Sequence, residues 1–561
     1  MIPRLQPATR RLPRSSRSIA PLRHFFNSNR SKSSRDARTT AERVRSRWSR
    51  VLAFHQRPEL LNSHTQILQS AFPKKTVLVL LVLGGIAYYS VDISLDEPWH
   101  MKLNKRNDVP MSFSKSREDL KAFLEANNQR NALDGNTMGA TFDHYNGHFR
   151  MGEIGVNGFM MTGEEAEEAG MPVTHGSQIA GNLLYEDRFA LGTSPGPGEE
   201  MWNYWGVYDG HAGNVTASEL QLNLIRQVSY DLSGMQAPSS SLAIARQIQD
   251  TFVKIDDEWL SVAKRAASWY PAGSAAALLA LNPILSGSCA LLACFDPKSS
   301  KLRVACTGDS RAVLGRWDAA EGKYVAKPLS ADQTGFNKDE VERITAEHPD
   351  EEGIIDPKSG RLLGIAVTRA FGDHRWKFDN DLIKQIQIKF WGSSPRPGSK
   401  TPPYMTAEPV VTEEDIDRGT KNPAGKADFM IMASDGLWDH ISSADAVECV
   451  SRWLAAKARA PDGHISLLPE VPPTPYSDDH RLFNSSLTSE PGTSYDIEGS
   501  KPLSWVVKPE YFSIEDENAA TCLIRNAFGG NRRGLFMGLF FLANGLQRRV
   551  MDDTTVLVVF F

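Results

Sequence analysis

Cysteine is scarce. The 561-residue chain holds five (Cys289, Cys294, Cys306, Cys449 and Cys522), with no CxxC pair among them. So few thiols cannot build a disulfide framework in a chain this long, and the missing pair spacing speaks against a zinc or redox site. Small buried hydrophobes in a reduced, intracellular protein are the expectation. Acids are scarce in one place: residues 1–50 hold thirteen Arg and one Lys against only Asp36 and Glu42, a net of +12. The remaining 49 basic and 65 acidic residues leave −16 for residues 51–561, so the formal total of −4 averages two unlike parts. A nucleic-acid binder carries basic charge on its folded part; this chain does not, and no nucleic-acid partner is expected. Also missing are a GxGxxG loop at the start and any HRD or DFG motif, which disfavours a kinase.

What is there divides along the chain. Residues 1–60 are rich in Arg and Ser and almost free of acids, the composition of a mitochondrial transit peptide. A basic arm for nucleic acid is the competing reading. Residues 76–91 (TVLVLLVLGGIAYYSV) carry no charge, with Lys74 and Lys75 before them and Asp92, Asp96 and Glu97 after. Sixteen residues fall short of the ~20 that span a bilayer, so a core helix or strand pair competes with a single membrane helix. Placed behind a presequence, the run is read as an inner-membrane anchor. Basic charge on its N-terminal side would hold that end in the matrix and turn the rest toward the intermembrane space, unless the segment is carried fully inward or lies on the surface. Residues 92–135 read as a linker and 136–561 as one catalytic domain. Pro, Ser and Gly mark loops at 235–240, 391–403 and 458–503, the last long enough for a lid. No internal repeat is apparent.

Short apolar runs at 204–208, 289–295, 302–307, 312–317, 429–433 and 555–561 read as strands. Residues 241–263 read as a helix with Ile244, Ile248, Phe252, Ile255, Trp259 and Val262 on one face. A GDS turn between two of the strands suggests a hairpin. Strands paired this way with helices outside give an α+β layered sandwich. Acids sit at the strand ends: Asp209 in VYDGHAG, Asp435 in MASDGLWD, Asp552 and Asp553 in DDTTVLVV, Glu186 and Asp187 in YEDRFA. Singly, each Asp-Gly is ordinary turn chemistry. Together, carboxylates converging at strand ends repel and stay partly protonated unless a cation neutralises them. An all-oxygen set without Cys or His suits Mg²⁺ or Mn²⁺ rather than Zn²⁺.

Eight blocks in order (YEDRFA, VYDGHAG, GSCALLACFD, CTGDSRAVLG, LSADQTGFNKDEVERI, VTRAFGD, MASDGLWD and DDTTVLVV) resemble the metal-dependent type 2C serine/threonine protein phosphatases. The likeness runs from about residue 175 to the C-terminus. It implies two antiparallel β-sheets sandwiched between α-helices, a phosphoprotein substrate, and hydrolysis by water activated between two Mg²⁺ or Mn²⁺ ions. By that resemblance Asp209 bridges both metals, Gly210 and Glu186 complete one site, and Asp435 and Asp552 hold the other. Asp187 hydrogen-bonds a water of the site, and Asp309 and Asp439 join Asp435 at a weaker third site in some members. His211 matches the general acid that protonates the leaving oxygen. Arg369 and Asp373 of TRAFGD read as structural, holding their turn.

There are departures. Most members carry a phosphate-gripping arginine four residues before Glu186, where this chain has Asn182. An amide cannot supply the bidentate charged contact of a guanidinium. Mitochondrial pyruvate dehydrogenase phosphatases share that asparagine, and the segments 401–411, 518–530 and 548–559 resemble the same branch. The implied substrate is the α subunit of pyruvate dehydrogenase E1, and the implied partner its complex. That complex lies in the matrix, opposite to the side the anchor's charge favours, so the side faced stays open. Gln333 replaces a usual histidine, and Asp439 stands where the branch often has glutamate. Residues 535–546 (LFMGLFFLANGL) read as a core helix or a contact face. A phosphatase-like scaffold that binds a phosphoprotein with little catalysis is the alternative function, kept open by Asn182.

Overall fold

The computed structural model describes residues 157–181, 185–465, 493–496, 501–531, 539, 548 and 550–561. The expected transit segment, the apolar run 76–91, the linker 92–135 and Asn182 lie outside them, as does 535–546 except for the buried Leu539. Among the described residues no helix is long and apolar enough to cross a membrane.

Alternation with a period of two decides the architecture. In the strand Phe429–Ala433, Phe429, Ile431 and Ala433 enter one core, while Met430 and Met432 enter another. Thr554–Phe560 divides the same way, Val556 and Val558 against Leu557 and Val559. Both strands are apolar on both faces, as a layer covered on both sides requires. They lie at the centre of a six-stranded antiparallel sheet in the order Asn157–Met160, Val173–Ile179, Thr554–Phe560, Phe429–Ala433, Arg311–Asp318, Lys323–Pro328. A five-stranded antiparallel sheet runs Val410–Asp415, Lys301–Thr307, Ala290–Asp296, Met201–Tyr208, Arg188–Pro195. Between the sheets pack Leu191, Trp205, Val207, Leu291, Phe295 and Val304 of one with Leu314, Met430, Met432 and Leu557 of the other. Each such fully buried side chain contributes roughly 2 kcal/mol. Helices Ser443–Arg459 and Ala519–Ala527 cover the outer face of the six-stranded sheet, and Val215–Ser233 and Ser241–Trp269 that of the five-stranded sheet.

Three expectations need correction. The GDS turn does not close a hairpin: Lys301–Thr307 belongs to the five-stranded sheet and Arg311–Asp318 to the six-stranded one, so the turn crosses between layers. The helix expected over 241–263 runs on to Trp269, and its buried stripe leaves Val262 (42% exposed) for Ala263, Ala266 and Ala267. Small alanines carry the seam there because the helix Ala275–Leu285 packs tightly against it. The 458–503 insertion is not loop throughout: residues 458–459 end a helix, and Thr493–Asp496 pairs with Lys501–Trp505.

Register then assembles one rim. Arg188 pairs with Tyr208 and Ala290 with Thr307, so Asp187, Asp209, Cys289 and Gly308 leave the same end of the five-stranded sheet. Ala433 pairs with both Arg311 and Val556, so Ser434 and Asp435 leave the six-stranded sheet beside the start of Thr554–Phe560. The crossing turn 308–310 joins the two ends and carries Asp309 between them.

Candidate metal centre

At that rim the carboxylates of Asp209, Asp309 and Asp435 each place an oxygen within 4.8 Å of the others. Asp209 follows its strand directly; Asp435 opens the short helix Asp435–Trp438 behind Ser434. Burial, with Asp435 as the next cause, pushes Asp209 well above the carboxylate range; burial, with Asp309 next, does the same to Asp435. Burial also raises Asp309 to about 6. Three such groups so close cannot ionise together without a compensating cation.

Asp187 lies behind them, 1% exposed. Its Oδ2 accepts from Ser434 Oγ and Thr555 Oγ1, both at 2.8 Å, while its buried Oδ1 has no hydrogen-bond partner. Burial, followed by Asp553, moves its pKa up to about 8. Asp553 has a different task from its neighbour. Its two oxygens accept from the backbone N–H of Gly181 (2.8 Å) and Glu186 (2.6 Å), stapling the chain on both sides of residue 182. Asp552 accepts from the Asp553 N–H at 2.7 Å and pairs with Arg548 at 2.5 Å.

The other expected ligands stand around that group, Asp552 near enough to raise the pKa of both Asp209 and Asp435. Glu186 Oε1 accepts from the Gly213 N–H at 2.6 Å, and burial raises its pKa. Neither Glu186 nor Asp552 belongs to the three-carboxylate group, and Asp439 stands exposed beyond the helix that Asp435 opens. Gly210 is buried beside Asp209; a Cβ there would lie 2.4 Å from the Glu186 carbonyl oxygen, so only glycine lets the two segments touch. His211 lies next along the chain, its Nε2 2.6 Å from Asp373 Oδ2. Burial works to lower the His211 pKa, but Asp373, then Asp309 and Glu186, raise it above its ordinary value.

Sequence reasoning missed several supports. All five cysteines are buried and free, yet Cys289 is more than a small hydrophobe: its thiol donates to Asp309 Oδ1 at 3.3 Å. Burial and the neighbouring Asp309 and Asp209 keep that thiol protonated. Arg311 binds Asp332 through Nε (2.9 Å) and Nη2 (2.5 Å) and lies over the Trp438 ring. Arg369, which the sequence already marks as structural, pairs with Glu340 at 2.6 Å and holds the Glu408 carbonyl. Arg548 opens the segment RRVMDDTTVLVV, whose sequence by itself assigns it no role.

The donor set at the rim is all oxygen, carries an unpartnered buried carboxylate oxygen, and holds more negative charge than burial tolerates. It fits hard divalent cations. Residues 180–464, about half of the chain, match the protein phosphatase 2C family. The chain belongs to that family. A protein phosphatase 2C homologue of Schizosaccharomyces pombe is 36% identical over 393 residues, 69% of this chain and 79% of that protein. The mitochondrial pyruvate dehydrogenase (acetyl-transferring) phosphatase 1 of Saccharomyces cerevisiae is 35% identical over 379 residues, 64% of this chain and 62% of its own length. Its Homo sapiens counterpart is 30% identical over 364 residues, 62% and 60% of the two chains. The chain thus spans about three fifths of the pyruvate dehydrogenase phosphatases it matches. As a protein phosphatase 2C, it is a serine/threonine protein phosphatase of a metal-dependent family.

Proposed function

We propose that this phosphatase is mitochondrial, binds two Mg²⁺ or Mn²⁺ ions, and removes phosphate from serine or threonine of the pyruvate dehydrogenase E1 α subunit. The observation that carries the reading is the group of half-buried carboxylates at the rim, Asp209, Asp309 and Asp435, with the unpartnered oxygen of Asp187 behind it. Asp209, Gly210 and Glu186 would hold one ion, Asp435 and Asp552 the other, and Asp309 and Asp439 with Asp435 a weaker third. Bound ions supply Lewis acidity, making water acidic enough to act near neutrality and offsetting charge on the phosphoryl oxygens. The protein's own groups do the rest. Asp187, oriented by Ser434 and Thr555, offers its free oxygen to a water proton. His211 hands a proton to the departing serine or threonine oxygen. Arg548, beside Asp552, brings to the rim a guanidinium that Asn182 does not provide.

The mitochondrial address rests on the basic leader and on relatives whose names place them there. Attachment to the inner membrane through residues 76–91 rests on sequence alone. The substrate is tested by comparing kcat/KM of the purified full chain on phosphorylated E1 α with that on an unrelated phosphoserine protein. A preference of at least tenfold for E1 α is expected, about 1.4 kcal/mol of discrimination. Equal values would remove the substrate and leave the phosphatase.

A further inference from the structure

Asp373 ends the TRAFGD block, whose sequence alone suggests a residue that holds its turn. Its side chain makes no capping bond to the helix His374–Lys377 that follows. It reaches instead to His211, 162 residues away, placing Oδ2 2.6 Å from Nε2. A small three-stranded sheet builds that contact: Phe371–Gly372 pairs with Gly287–Ser288, which pairs with Gly210–His211. In its register Gly372 and His211 both lie opposite Gly287. A Cβ on Gly287 would sit 2.2 Å from Asp373 Oδ2 and 2.2 Å from His211 Nε2, so the pair closes over a position only glycine can fill.

The carboxylate is held at a cost. Asp373 has φ 51° and ψ 45°, a left-handed conformation that disfavours a side chain. Its backbone is pinned there, its N–H donating to the Ser286 carbonyl at 3.0 Å and its carbonyl accepting from the Trp376 N–H at 3.0 Å. The residue is 5% exposed, and among the described residues His211 is its single ion-pair partner. Strain, burial and a cleared glycine all serve one contact, and that contact ends on the imidazole.

We propose that Asp373 is the positioning residue of His211. It accepts the Nε2–H, fixes the ring, and leaves Nδ1 as the nitrogen that gives up a proton. In the step itself the Nδ1–H bond breaks as the serine or threonine O–H forms and the P–O bond cleaves. The imidazole left behind is neutral, still donating Nε2–H to Asp373, and regains its Nδ1 proton from solvent. The inference rests on His211 being the general acid.

The test uses the full chain with Mn²⁺ on a phosphoserine peptide, whose leaving oxygen needs a proton, and on p-nitrophenyl phosphate, whose leaving group does not. His211→Ala is expected to lose about 10²-fold on the peptide and far less on the aryl phosphate. Asp373→Ala should show the same selectivity, and the double variant should lose no more than His211→Ala alone. Asp373→Asn tolerates the left-handed backbone but carries no charge, and should show the selectivity in weaker form even if the alanine variant fails to fold. Nitrogen NMR of the metal-free protein should find Nε2–H as the neutral tautomer of His211 in the parent chain, and a changed Nε2–H resonance in Asp373→Asn. Equal losses on both substrates for the Asp373 variants, beside a selective loss for His211→Ala, would overturn the positioning role. An unselective His211→Ala would instead overturn the general-acid reading beneath it.

Discussion

The side-chain amide of Gln333 closes on Gly308, accepting its N–H at 2.6 Å, while the Gln333 N–H donates to the Gly308 carbonyl at 2.9 Å. The other end of the amide donates to the Cys306 carbonyl at 3.0 Å. The turn that carries Asp309 across the two sheets is thus gripped by a single buried residue, 1% exposed.

Removing the grip leaves a buried N–H unpaired, which costs about 1–3 kcal/mol. Gln333→Ala should lower thermal stability and weaken Mn²⁺ binding, since Asp309 loses its fixed place. Gln333→His, whose neutral ring offers one acceptor and one donor, should recover most of both. Calorimetric melting and Mn²⁺ titration measure the two effects.

The carboxylate group trades stability for function. Asp209→Asn should raise the melting temperature of the metal-free protein by about 2–4 °C, because the fold no longer bears the cost of holding that buried, crowded carboxyl protonated. The same substitution should abolish the rise that Mn²⁺ gives the parent chain. Thermal scans with chelator and with Mn²⁺ distinguish the two. A metal-free variant less stable than the parent would contradict the electrostatic account.

Arg548 should matter for phosphate binding. Arg548→Ala is expected to raise KM for a phosphopeptide about tenfold and to weaken inhibition by inorganic phosphate in parallel. Arg548→Lys keeps the charge without the planar fork and should fall between. A change in kcat alone would assign Arg548 to Asp552 rather than to the substrate.

Glu340 provides a pH test of the scaffold. Burial would raise its pKa, but Arg369 and Arg343 hold it down at about 2. A depressed carboxylate stabilises the fold above its unfolded pKa of about 4.3, here by on the order of 3 kcal/mol, and that support fades as pH falls toward 2. Glu340→Gln should therefore be markedly less stable at pH 7, and the deficit should shrink as pH falls from about 4.5 toward about 2. Urea unfolding across that range measures it.

How much of the molecule is legible in its sequence follows from where each signal resides. Strand-end acids announce themselves locally, so Asp209, Asp435 and the Asp552–Asp553 pair stand out as candidates from the residues alone. Which sheet a strand joins is not a local property. The GDS turn resembles a hairpin because Thr307 and Arg311 are close in sequence, while their pairing partners, Ala290 and Ala433, are remote. The same holds for Asp373 and His211, brought together by two-residue strands too short to leave a hydropathy pattern. Asp552 and Asp553 read alike in sequence, and only the backbone N–H groups of Gly181 and Glu186 separate their tasks. Val262 and Ala263 exchange places because alanine carries little hydrophobic signal, although it packs where two helices meet closely.

On the proposed function, carboxylate-held divalent ions make this chain a phosphatase. Hydrolysis of a phosphoserine peptide by the purified full chain, measured with Mn²⁺, with excess chelator, and with Asp209→Asn in Mn²⁺, tests it most directly. Turnover is expected in the first case alone, restored when Mn²⁺ is added back after chelation. Activity indifferent to both chelator and the Asp209 substitution would contradict it.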